Sequence, residues 1–367
     1  MEKTASQLLE LVKSALWNYD VGKDRLGDCD LTDLLQEAEK QTIVGLVADG
    51  LTNNKQFDNG SKEEKFQWIV MTSQIGTNIE KHQRVLRKTI ESLHAGGIPV
   101  AFMKGLIVGN RYPNPYRRQC GDIDFIVSGK DYQRTLGVLD EIGKVDYSLV
   151  HEHHGMAFVD GVTLEPHYKV HNFQNPKVDD AMREMFLEVF PQSIVYEKVG
   201  DIDVPTFPSS FECAVLVGHM VNHVYAEGLG LRQVIDFMMF LDKKYARLDK
   251  DKCHLYLNQL HMERAFRIFV RICEKFLGLS EKLLNLSYTS KESAFADKLI
   301  EDIMKVGNFG RGENYLGKTN VLRPIRSYLW VVRRCVKLGY LCPAEAWWWP
   351  VSKVRRFFGK KQKERLV

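Results

Sequence analysis

Two aspartates, Asp122 and Asp124, stand two residues apart at the head of an apolar run, Asp122-Ile123-Asp124-Phe125-Ile126-Val127. Side chains alternate faces along a strand, so both carboxylates point the same way with Cα atoms about 7 Å apart, while Ile123 and Phe125 face a core on the other side. Solvent-facing carboxylates so placed share one divalent cation or bridge two ions about 3.5–4 Å apart. Oxygen ligands of this kind select Mg2+ or Mn2+ over zinc. Alone, Asp-x-Asp is as readily a solvated strand end, and its meaning comes from its neighbours. A third acid, Glu165, sits in Val162-Thr163-Leu164-Glu165-Pro166-His167, the second arm of a hairpin predicted over 155–170 with its turn at Asp160-Gly161. Upstream, Lys104-Gly105 follows the apolar stretch 98–103; a glycine between a strand and a helix lets backbone N–H groups approach phosphates. Lys104, Arg117 and Arg118 carry positive charge suited to a triphosphate, although solvated charge at a strand end and in a loop is the plainer reading.

Histidines crowd the same region, at His151, His153, His154, His167 and His171. With no cysteine close by, and with strand alternation placing 153 and 154 on opposite faces, they do not read as a zinc site. His154 and His167 are instead candidates to line the cleft, or structural histidines. His219 and His223 have the spacing of a metalloprotease helix, but the residues between them lack its glutamate, which excludes that chemistry. Arg232 and Asp236 are also four apart. They are either a helix-surface pair worth about 0.3–0.5 kcal/mol or residues that face a cleft.

The elements that must position these groups follow from periodicity. Residues 1–95 read as helical, with apolar positions at helical spacing in 8–16 and again across 62–94, stopped by Gly96-Gly97. Residues 96–205 alternate strands with short helices, including a strand over 122–127 and a helix over 131–142. After Pro205 the helical pattern returns, opening on a capping-box signature at Ser209-Ser210-Phe211-Glu212 and continuing through 229–241, 265–277, 294–306 and 325–338. The last segment, 342–367, is aromatic and basic, with Trp347-Trp348-Trp349 followed by Lys353, Arg355, Arg356, Lys360, Lys361, Lys363 and Arg365. Within a net charge of +4, residues 318–367 hold 13 Lys/Arg against 2 Glu, net +11, which leaves −7 for residues 1–317. Such an end suits an anionic partner, a membrane surface or equally RNA; packed tryptophans and a solubilising tail are the bland alternative. Composition, 44% hydrophobic and 27% charged, excludes a disordered or fibrous chain. Seven scattered cysteines without a C-x-x-C pair argue against a disulfide framework, and together with a start that lacks a secretory h-region they suggest a cytoplasmic protein.

Met103-Lys104-Gly105, the Tyr112-Pro113 to Arg117-Arg118 connection, Gly121-Asp122-Ile123-Asp124, His153-His154 ahead of Glu165-Pro166-His167, and Leu231-Arg232-Gln233-Val234-Ile235-Asp236 together carry a resemblance. Over about residues 75–250 the sequence resembles an uncharacterised bacterial nucleotidyltransferase family within the superfamily that has the DNA polymerase beta type of core. The resemblance implies an α+β fold: a small mixed β-sheet core, N-terminal helices and a C-terminal helical domain. It implies that Asp122 and Asp124 hold two Mg2+ or Mn2+ ions on the phosphates of an NTP, and that Glu165 binds the second ion and helps activate an acceptor hydroxyl. Lys104, Gly105, Arg117, Arg118, Arg232 and Asp236 would then contact the nucleotide. Families of this kind are often associated with surface polysaccharide synthesis, so a sugar or lipid-linked acceptor is favoured, ATP is among the expected donors, and no nucleic-acid partner is indicated. One departure is Leu106, where the superfamily usually has Gly or Ser; another is the 17-position step from Gly105 to Asp122, whose insert, 110–120, is a candidate substrate contact. Two rivals keep the acids in other roles: an Asp-x-Asp glycosyltransferase, and a nucleotide-binding module without turnover.

Overall fold

Caps and glycines set the limits of the leading helices. The computed structural model of the protein describes residues 2–148, 154–312 and 323–358. It opens with α1 (Lys3–Trp17), α2 (Lys23–Leu26), α3 (Leu31–Gln41), α4 (Val44–Asn53) and the long α5 (Lys62–Ala95). Asp30 caps α3 by accepting from the Thr32 and Asp33 N–H groups, and Ser61 with Glu64 forms a capping box on α5, satisfying amides that have no partner within the helix. The chain then turns at Gly97, whose φ of +62° favours glycine.

The central part runs β1 (Ala101–Met103), α6 (Gly105–Gly109), β2 (Asp122–Ile126), α7 (Tyr132–Ile142), β3 (Lys144–Val145), β4 (Ala157–Val159), β5 (Val162–His167), α8 (Pro176–Val189), β6 (Val195–Val199) and β7 (Ile202–Thr206). These strands form one mixed sheet in the order β3-β4-β5-β2-β1-β7-β6. The expected hairpin is β4–β5, closed by Val159 opposite Val162 around Asp160-Gly161. A second hairpin, β6–β7, and helix α8 were not legible in the sequence pattern. Three of the five β6 side chains are exposed and Pro205 interrupts β7, so neither strand shows clean alternation.

The remaining helices are α9 (Ser209–Ala226), α10 (Leu231–Lys244), α11 (Lys250–Gln259), α12 (Glu263–Leu277), α13 (Glu281–Leu284), α14 (Ser290–Val306), α15 (Arg323–Leu338), α16 (Pro343–Ala346) and α17 (Trp348–Phe358). The capping box expected at Ser209 is not formed. Pro208 occupies the N-cap of α9 without a side-chain bond, and Glu212 is drawn away to pair with the buried Arg111 guanidinium at 2.8 Å.

The two faces of the sheet belong to different cores. Phe102, Ile123 and Phe125 pack with Ile79, Val85, Leu86 and Leu93 of α5 and with Leu136 and Leu139 of α7. Ala101, Met103 and Ile126, on the face shared with Asp122 and Asp124, join the large core that also holds Leu8 and Leu11 of α1, Val47 of α4, Phe237 of α10 and Phe269 of α12. Leading and trailing helices thus share one interior, which lies over the acidic face of the sheet.

Candidate active site

Strand register assembles the three acids. β2 pairs in parallel with β5, with Asp124 opposite Glu165, and antiparallel with β1, with Met103 opposite Asp124. Residues opposite each other across a ladder share a face, so Asp122, Asp124 and Glu165 gather on one side of the sheet centre. Ile123 and Phe125 are buried behind them as expected. The expectation that both aspartates meet solvent is corrected: Asp124 is only 8% exposed, because β2 is a central strand and helices lie over its face, while Asp122 and Glu165 are half-buried.

Asp124 is the best compensated of the three. His167 Nε2 donates to its Oδ1 at 2.9 Å, and Lys104 Nζ lies 3.4 Å from the same oxygen. Burial alone would raise its pKa, but the Lys104 charge and the His167 bond hold the carboxyl well below the usual range. The Asp122 carboxylate makes no hydrogen bond or ion pair among the described residues, and burial with repulsion from Asp124 pushes its pKa up. Glu165 is pushed up to about 8 by burial and then by the two aspartates; its Oε2 lies 3.7 Å from His154 Nε2 and 3.8 Å from His167 Nε2. Carboxylate oxygens concentrated beyond the cations present form a donor set that fits a hard divalent cation.

Lys104 holds its position at a conformational cost. Its φ of +53° with ψ of −141° falls where residues other than glycine rarely go, a strain typical of functional sites. Gly105 follows at φ +43° and opens the five-residue α6. Leu106, the departure from the superfamily pattern, is buried in the core between the sheet and α5; the position serves packing.

The insert 110–120 is pinned from two sides. Arg117 Nε pairs with Asp49 Oδ1 of α4 at 2.8 Å, and Gly45 of α4 lies so close beneath the Arg117 backbone that a Cβ there would stand 2.4 Å from its carbonyl oxygen. Arg118 is buried and grips Asp236 of α10 through Nε and Nη2 at 3.0 and 2.7 Å, with Tyr112 Oη donating to the same carboxylate at 2.7 Å. The charges of Arg117 and Arg118 are therefore matched by carboxylates, and Asp236 is engaged with Arg118. The simple surface pair between Arg232 and Asp236 does not form. Arg232 instead donates from Nη1 to the Gln119 carbonyl at 3.0 Å, has no carboxylate partner among the described residues, and leaves its buried Nε without a hydrogen bond there. Burial and repulsion from Arg118 lower its pKa.

A wall of histidines completes the site. His154 and His167 face each other across an isolated bridge with ring centroids 4.9 Å apart; His151 and His153 lie outside the described residues. His171 donates from Nε2 to the Val215 carbonyl at 2.8 Å and stacks on His219, which meets His223 at 4.4 Å. Burial, then the Lys104 charge, lowers His171 and His223 to about 3 and His219 well below its ordinary value, so all three are neutral at pH 7. The four-residue spacing of His219 and His223 on α9 is the sequence signal for this wall. At the C-terminal end Trp347 is 72% exposed while Trp349 is buried, so the tryptophans divide between surface and core; residues 359–367 lie outside the described residues.

A family model described as "Uncharacterised nucleotidyltransferase" matches residues 28–278, more than half of the chain. The protein therefore belongs to that nucleotidyltransferase family. Among solved structures, an antigenic nucleotidyltransferase-like protein from Paracoccidioides brasiliensis matches at 12% identity and a TM-score of 0.29, covering 59% of this chain and 96% of the other. The family match, not that likeness, carries the assignment. No curated protein matches the chain. No helix among the described residues is long and apolar enough to cross a membrane, and all seven cysteines are free thiols.

Proposed function

We propose that the protein is a metal-dependent nucleotidyltransferase that moves a nucleoside monophosphate from an NTP to a hydroxyl acceptor and releases pyrophosphate. The observation that carries this reading is the register that gathers Asp122, Asp124 and Glu165 on one face, with Lys104 beside them and a half-buried Arg232 that has no counter-ion among the described residues. Asp122 and Asp124 would hold Mg2+ or Mn2+, which when bound supplies charge stabilisation at the attacking and leaving oxygens. Lys104 and Arg232 bind the phosphates, a half-buried guanidinium without a carboxylate being suited to an anion. Arg118, Asp236 and Arg117 act one step back, by fixing the insert from which the Gln119 carbonyl orients Arg232. The Glu165 carboxylate takes the proton of the acceptor hydroxyl as the bond to the α-phosphorus forms and the bond from the α-phosphorus to the pyrophosphate oxygen breaks. Asn222 Oδ1 and His223 Nδ1, buried on α9 without a hydrogen bond among the described residues, are offered to base, ribose or acceptor.

A sugar or lipid-linked acceptor fits the basic, aromatic end. Exposed Ile325 and Leu329 on α15 and Val351 and Val354 on α17, with Trp347 between the two helices, favour a peripheral seat on an anionic membrane. The direct test is pyrophosphate release from each of the four NTPs with Mg2+ or Mn2+, in the presence of small-molecule and membrane extracts. Release that requires an extract and is lost in Asp122→Asn supports the reading. Full turnover by Asp122→Asn refutes the metal-site assignment, and NTP binding without release points to a module that has lost turnover.

A further inference from the structure

The donor set beside Glu165 is not made of oxygen alone. His154, Glu165 and His167 each offer one ligand atom, and the three atoms lie within 4.8 Å of one another. The two measured edges, His154 Nε2 to Glu165 Oε2 at 3.7 Å and His167 Nε2 to Glu165 Oε2 at 3.8 Å, are near the ~3.4 Å that separates ligands around a tetrahedral ion with bonds of about 2.0–2.1 Å. Backbone geometry fixes the arrangement. Glu165 and His167 are two apart on β5 and share a face, and His154 is brought opposite His167 by the antiparallel bridge and by the Gly155 N–H bond to the Pro166 carbonyl at 3.0 Å.

We infer that His154, Glu165 and His167 form a binding centre for a divalent transition metal, with Zn2+ as the tight occupant, next to the Asp122/Asp124 pair. The inference rests on the nucleotidyltransferase reading only for its neighbour. Ligand chemistry separates the two positions: imidazole nitrogen suits zinc and its first-row relatives, whereas carboxylate oxygens suit Mg2+. His167 can serve only one master, since its Nε2 donates a hydrogen to Asp124 when no metal is bound and must present a lone pair when one is. Occupation of the centre therefore shifts the ring proton to Nδ1 and releases Asp124 Oδ1 from its imidazole partner. The metal content of the histidine centre is in this way coupled to the coordination of the aspartate pair.

The test uses the full chain, stripped of metal. Co2+ titration, followed by the visible ligand-field absorption of a low-coordinate nitrogen and oxygen site and by displacement with Zn2+, reads the centre without any turnover. One equivalent of Zn2+ is expected to displace Co2+, with an affinity reduced at least about tenfold by His154→Ala and little changed by Asp122→Asn. The imidazole resonances of His154 and His167 are expected to shift on Zn2+ addition in the wild-type chain, a readout that does not depend on the variant folding. Unshifted histidine resonances, or Zn2+ affinity equal in His154→Ala and wild type, overturn the inference. Asp122→Asn that binds Zn2+ normally yet keeps full pyrophosphate release would refute the catalytic assignment and leave this centre standing.

Discussion

Asp236 is the residue whose role the geometry changes most, from a nucleotide contact to a clasp. Its carboxylate receives two hydrogen bonds from Arg118 and one from Tyr112, all buried. At 2.7 Å the charges attract by about 6 kcal/mol at an effective dielectric near 20, most of which offsets the cost of taking both from water. Asp236→Ala removes the attraction and leaves the cost, because Arg118 stays charged in the interior, so the expected loss is about 3–5 kcal/mol. At roughly 2–3 °C per kcal/mol for a large chain, the melting temperature should fall by about 6–15 °C. Replacing both partners with apolar side chains, Arg118→Met with Asp236→Leu, should recover much of that loss. Thermal and urea unfolding of the single and double variants, beside NTP titration of each, separates the roles. Asp236→Ala that keeps its stability within about 1 kcal/mol while losing NTP affinity would refute the clasp and make Asp236 a ligand of the nucleotide.

Other variants test neighbouring steps. Gly45→Ala forces a methyl against the Arg117 carbonyl and should cost about 1–3 kcal/mol in urea unfolding; an unchanged midpoint would show that the insert is not pinned there. Glu165→Gln should slow transfer by about 10²–10⁴-fold with little change in NTP affinity; equal losses in both would make Glu165 mainly structural. Acid should destabilise the fold through His171, His219 and His223, whose folded-state values lie below the ordinary 6.5. The unfolded chain then binds protons that the folded one refuses, so stability is full above about pH 6.5 and is lost as pH falls toward 3. A denaturant midpoint flat from pH 7 to 5 would contradict this.

The acids were readable in the sequence because strand alternation and a turn dipeptide are local signals: Asp122, Asp124 and Glu165 needed only period two and Asp160-Gly161. The depth of Asp124 was not readable, since it depends on helices more than seventy residues away lying over β2. Charge partners were hidden for the same reason. Nothing near Arg118 in sequence announces Asp236, and nothing near Glu212 announces that Arg111 draws its carboxylate off a capping box. The β6–β7 hairpin went unread because its exposed edge strand and Pro205 blur the alternation.

The shared interior of the first and last helices has a consequence for inheritance. A fragment spanning 62–206 would carry every acid of the site on a sheet whose acidic face has lost α1, α4, α10 and α12, with Ala101, Met103 and Ile126 turned to water beside the carboxylates. Such a piece is unfit for trade between genes: this protein can diversify by changing side chains around its cleft, but its acidic site cannot be lifted out and grafted elsewhere without the helices that flank the sheet in sequence.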